Sequence, residues 1–233
     1  VTDLYLYQTI HLARGRARHV AEHAATLDAL SREWFGRPYP SAAEALQRRI
    51  ERRAREEHYP TEVSGFIRLE LLADGSERLL PAGISYYDGY GYRSVQPATV
   101  ALRYDLPLTE APTSAHEAAT LLAHRAAERQ GAEAAIRCDA EGHFREAEGA
   151  PLFAIAGRTV LEAPGPESVE RSITREAVRR AGMELRKEEF GLGNLSRIEE
   201  LFFTDHRGIT SLSRCNGVPL MTFLAERIAA ALE

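Results

Sequence analysis

The sequence predicts an α/β protein of two domains, and three observations predict it. Asp3 to Ala13 alternates in polarity, with Leu4, Leu6, Ile10 and Leu12 on one face and Tyr5, Tyr7, Thr9 and His11 on the other, the period of a half-buried strand. A helix, strand, turn and strand follow one another from Pro112 to Ile155. Between these regions, Asp105 to Ala111 carries Pro107 and runs into Pro112, which reads as an interdomain linker. The domains are therefore placed at 1–104 and 113–233, with 105–112 between them.

The chain has 233 residues and a formal net charge of −5, enough for one large core or two small ones. No apolar run reaches the length of a membrane span, and no secretory leader is visible, so a cytoplasmic protein without membrane contact is expected. The acidic balance gives no phosphate-binding footprint, which argues against nucleic acid. Cys138 and Cys215 lie in no CxxC or Cys/His cluster, so they read as buried filler, and no metal site is expected.

The elements follow in order. Arg14-Gly15 turns a first hairpin, and a helix covers about Ala21 to Phe35 before Gly36 and Pro38 stop it. Ser41, with Glu44 three residues on, reads as the capping box of a second helix that turns Ala45, Leu46 and Ile50 inward. Its Arg48, Arg49, Arg52, Arg53 and Arg55 interleave with glutamates, the pattern of a solvated face. Strands are expected over 64–72, 77–86 and 99–104, with Asp74-Gly75 as a hairpin turn. Tyr86, Tyr87, Tyr90 and Tyr92 with Gly89 and Gly91 form an aromatic-glycine loop. In the long run after Pro112, Ala118, Leu121, Leu122 and Ala126 share a helical face that ends at Gly131. Ala134 to Cys138, His143 to Glu146 and Leu152 to Ile155 are strands, and Asp139 to Gly142 is a tight turn. Beyond them come a strand at 159–161, a helix within 167–182, a strand at 183–190, a hairpin around Thr204-Asp205-His206 and a last helix over 219–232.

Leu121-Leu122-Ala123-His124, Gly131, Asp139, Gly142, Glu146 and Leu152-Phe153 resemble, without a gap, the centre of the class IV PLP-dependent enzymes. That family holds branched-chain and D-amino acid aminotransferases and aminodeoxychorismate lyase. The resemblance runs from about Leu4 to Ala229 and implies the two-domain class IV fold, short ahead of its first strand, and a homodimer. It also implies that Glu146 faces the cleft and bonds the pyridine nitrogen, and that Ser172-Ile173-Thr174-Arg175 opens a helix whose N–H groups cradle the cofactor phosphate. Arg68 matches a strand facing the cleft and is the candidate for a substrate carboxylate.

Several positions depart from the family. The lysine that forms the Schiff base falls at or beside Pro112, and the one lysine of this sequence is Lys187. Arginine cannot replace it, because its guanidinium stays protonated. Thr26 stands where the family has a phosphate-binding Arg, His206 where it has a phosphate-binding Thr, Pro151 where it has Asn and Glu117 where it often has Tyr. The lost phosphate contacts are together worth about 2–5 kcal/mol. The reading favoured from sequence is a class IV-like protein that no longer transaminates, a binding or partner protein with no cofactor and an anionic or amino-acid-like ligand. One alternative is PLP-independent acid–base chemistry by His116, Glu117, Glu146 and His206. The other is an active aminotransferase or aminodeoxychorismate lyase that carries PLP.

Overall fold

The computed structural model describes residues 3–232, whose contacts separate two units. The first holds the chain through Gly89 with residues 111–115 and 167–169; the second holds 90–110, 116–166 and the chain from 170 onward.

In the first unit, β1 (Tyr5–Ala13), β2 (Arg16–Ala17), β3 (Gly65–Leu72) and β4 (Glu77–Ile84) form an antiparallel sheet in the order β2-β1-β3-β4. Tyr5 opposes Leu72 and Leu12 opposes Gly65, so the alternation of both strands stays in phase. Leu6, Ile10 and Leu12 then share a core with Ile67, Leu69 and Leu71, closed by Leu27 of α1 (Val20–Phe35) and by Leu46 and Ile50 of α2 (Ala43–Glu56). Each such side chain contributes about 1.5–3 kcal/mol by its burial. Leu4 lies ahead of the strand and is 51% exposed. Gly36 ends α1 in the left-handed region, its N–H bonding to the Ser31 carbonyl. The expected capping box of the second helix does not form. Ala42 occupies the N-cap, and the Ser41 hydroxyl meets Glu77 and Arg49 on a distant strand and on the helix itself.

The second unit contains β5 (Gly91–Arg93), β6 (Ala98–Arg103), most of α3 (Ser114–Arg129), β7 (Ala134–Cys138), β8 (Phe144–Ala147), β9 (Ala150–Ala156) and β10 (Thr159–Glu162). It continues with most of α4 (Val169–Arg180), β11 (Glu184–Lys187), a 3-10 turn at Leu192–Arg197, β12 (Glu200–Asp205), β13 (Gly208–Ser211), β14 (Arg214–Cys215), β15 (Val218–Pro219) and α5 (Leu224–Ala229). The sheet order is β15-β14-β6-β7-β8-β9-β12-β13-β5, with β10 added to β9 and β11 to β10. α3 is the crossover between parallel β6 and β7, and tight turns then carry the chain antiparallel through β8 and β9. One cluster holds Ile136, Phe144, Leu152, Phe190 and Leu201; another holds Phe153, Ile155, Val178, Phe202 and Ile228, with Phe153 and Phe202 stacked at 5.2 Å.

Two expectations are corrected here. Leu121 and Leu122 do not face inward but are 62% and 72% exposed, and α3 instead buries Ala123 and Ala127. Small side chains let the helix approach the sheet closely, which the leucines would prevent. The last helix is shorter than expected, because Val218 and Pro219 pair with β14. The Glu200 carboxylate accepts the N–H groups of Phe223, Leu224 and Ala225 and fixes where α5 starts. Among the described residues, no helix is long and apolar enough to cross a membrane.

Candidate functional site

Glu146 is 6% exposed on β8, directly across the ladder from Arg137 on β7. Arg137 interrupts the apolar run Ala-Ala-Ile-Arg-Cys and is 4% exposed. Its Nε donates to Glu146 Oε1 at 3.1 Å, and its Nη2 donates to Glu110 Oε1 at 2.5 Å. His116, in the first turn of α3, donates from Nε2 to the same Glu146 oxygen at 2.9 Å. An ionised carboxylate offers no proton, so Nε2 carries the hydrogen.

The backbone brings these groups together. The β8–β9 turn places Glu148 and Gly149 at φ 52° and 74°. A Cβ on Gly149 would lie 3.1 Å from Thr120 Oγ1 and 3.8 Å from His116 Nε2. The glycine therefore lets the start of α3 sit against the turn, and Ala123 and Ala127 extend that approach.

Burial alone would raise the Glu146 carboxyl. The hydrogen bond and charge of His116 and the Arg137 guanidinium outweigh it and hold the group below the usual carboxylate range. Tyr104 also senses this charge: burial first, then the Glu146 carboxylate, push its phenol upward. Both hydrogen bonds to the carboxylate fall on Oε1, and among the described residues none falls on Oε2. The result is a carboxylate held ionised at one oxygen, with the other left as an acceptor. That chemistry fits the protonated ring nitrogen of a pyridine cofactor. Pro112, Thr113 and Ser114, where the resemblance puts the covalent anchor, carry no amine, and the one lysine of the sequence, Lys187, is on exposed β11.

The other expected site residues have contacts of their own. The hydrogen bonds of Glu146 run to His116 and Arg137, not to Glu117 or His206. Burial would raise the Asp205 carboxyl, but the charges of His206 and Arg207 lower it. Arg68 stacks 4.1 Å from the Tyr7 ring centroid and binds Glu70 at 2.9 Å on the first unit's sheet. Thr26 bonds back to the Glu22 carbonyl within α1. The helix expected to open at Ser172 starts earlier, at Val169. Ile173 and Thr174 thus lie past the first-turn donors, and the buried Thr174 hydroxyl meets the Glu170 carbonyl and Thr204. Asp139, His143 and Glu189 bring ligand atoms within 4.8 Å of one another, but a cation is already there: Arg145 Nη2 lies 2.7 Å from Asp139 and 3.5 Å from Glu189. Arg137 was not singled out from the sequence; an arginine inside an otherwise apolar strand was the available signal.

The family model described as amino-transferase class IV matches residues 5–206. No curated protein sequence matches the chain. Similar solved structures include a putative 4-amino-4-deoxychorismate lyase from Legionella pneumophila, with TM-score 0.78 and 13% identity, covering 96% of this chain and 88% of that one. A PLP-bound aminotransferase from Brucella abortus has TM-score 0.78 and 16% identity, over 97% and 87% of the two chains. A hypothetical aminotransferase from Mycobacterium tuberculosis, bound to α-ketoglutarate and PMP, has TM-score 0.77 and 17% identity, over 98% and 88%. These likenesses agree with the expected class IV fold. They overturn the expectation that no cofactor is involved, since similar structures hold PLP or PMP.

Proposed function

This chain belongs to the class IV aminotransferase family, and on that premise we propose that it is a PLP-dependent aminotransferase or aminodeoxychorismate lyase acting on an amino-acid-like substrate. The observation that carries the reading is the Glu146 carboxylate, buried, held ionised through Oε1 and, among the described residues, with no hydrogen bond on Oε2. When bound, PLP supplies an electron sink for charge that develops at a substrate carbon. Glu146 would accept the ring N–H of such a cofactor, and His116 and Arg137 keep the carboxylate oriented and unprotonated. Glu110 balances the second face of Arg137, so the buried cation does not depend on Glu146 alone.

The protein is read as a cytoplasmic homodimer. The exposed Leu121 and Leu122 on α3 support a partner surface, and the free, buried Cys138 and Cys215 suit a reducing compartment. The test is a PLP-supplemented assay with D- and L-amino acids against α-ketoglutarate, and with aminodeoxychorismate followed by pyruvate release. Turnover that needs PLP and falls in Glu146→Ala is expected. A second reading, a binding protein on the same fold without turnover, is favoured by one observation: Pro112-Thr113-Ser114 has no amine. Bound cofactor without turnover of any of these substrates would select it.

A further inference from the structure

Resting on the reading above, we infer that this chain holds its pyridine cofactor through the ring nitrogen and without a covalent link, so that it retains the amine form as readily as the aldehyde. A Schiff-base anchor needs a primary amine within bonding reach of the aldehyde carbon. Pro112 and Thr113 stand where the resemblance calls for that amine, and the main chain there is fixed. The Pro112 carbonyl accepts the Tyr7 N–H at 2.9 Å, and Thr113 bridges to Leu6. Thr113 is 5% exposed and carries a hydroxyl, a group that forms no imine. The one lysine, Lys187, is exposed on β11, a strand added to the sheet through β10.

The covalent anchor is what makes an aldehyde cofactor harder to remove than its amine counterpart. Without that anchor the difference disappears, and retention falls to contacts the two forms share. The ring-nitrogen contact is one of these. A carboxylate already locked through Oε1 by a histidine and an arginine presents Oε2 without further ordering, which strengthens a single shared contact. The prediction therefore concerns relative affinity and covalent state, not turnover.

The experiment uses the full chain, dialysed free of cofactor and titrated separately with PLP and with PMP by calorimetry. A portion loaded with PLP is then treated with borohydride and weighed intact. We expect dissociation constants within about tenfold of each other, exchange of both forms on dialysis and no mass increase after borohydride. Lys187→Arg should leave both affinities unchanged, and Glu146→Gln should weaken both together by about 10- to 100-fold. A stoichiometric borohydride-fixed adduct on Lys187, with PLP held at least a hundredfold more tightly than PMP, would overturn this inference and leave the proposed function standing. Binding of neither form would overturn both. The wild-type measurements decide the matter even if the Glu146 variant fails to fold.

Discussion

At the scale of the residue, buried carboxylates paired with arginines set the response to acid. Glu162 is 2% exposed; Arg171 Nη1 reaches it at 2.6 Å and Arg175 Nη2 at 2.7 Å. Burial pushes this carboxyl up, but the two guanidinium groups prevail and hold it low. A depressed folded-state value means that the unfolded chain binds the proton more tightly, so the pair stabilises above the ordinary carboxyl value of about 4.3 and that contribution fades as pH falls. Glu162→Gln should cost about 3–5 kcal/mol near neutrality, because it removes the buried negative charge that Arg171 and Arg175 both meet. Urea unfolding at a series of pH values should show the gap between variant and parent narrowing below pH 5 or so. A gap constant down to acid would show that the charge of Glu162 does not stabilise the fold. The place of Glu146 on a strand returning from a tight turn was legible in the sequence, because Asp139 and Gly142 mark that turn. Its partner Arg137 was not, because a cross-strand contact depends on register, which no local pattern reports.

At the scale of the element, α3 shows why periodicity alone misorients a helix. Two faces of Ser114–Arg129 are apolar: the leucine face is the more hydrophobic, and the alanine face is the one that fits. Close approach to β7 and to the turn at Gly149 selects the small residues, and the helix then brings His116 to Glu146. Ala123→Leu should therefore destabilise by about 1–3 kcal/mol through overpacking. Leu121→Ser should move stability by no more than about 0.5 kcal/mol, as an exposed position does. Chemical denaturation of the two variants checks the contrast. Sedimentation of Leu121→Ser together with Leu122→Ser tests the proposed dimer, which should weaken if this face is its contact. The starts of α2 and α5 were obscured in the same way. Glu77 and Arg49 draw Ser41 away from the cap, and Glu200 supplies a cap to α5 from 23 residues upstream of Phe223.

At the scale of the whole molecule, the α/β class and most strands could be read from alternation and turn residues, but the pairing of β6 could not. Ala98–Arg103 lies between β7 and β14, partners brought together by long-range contacts, while the prolines after it gave the stronger local signal. Each unit keeps its own core: Leu6, Leu27, Leu46, Ile50 and Leu69 in the first, Ile136, Phe144, Phe153 and Phe202 in the second. A cavity opened in one core removes contacts from that cluster only. Ile50 is fully buried, so Ile50→Ala should cost the first unit about 2–5 kcal/mol. If the clusters are separate cooperative units, native-state hydrogen exchange should speed up at the slow amides of β1, β3, α1 and α2. The slow amides of β9 and β12 should keep their parental rates. Equal acceleration in β9 and β12 would show one cooperative unit and refute the division, whereas the unequal result assigns the Glu146 network its own stability.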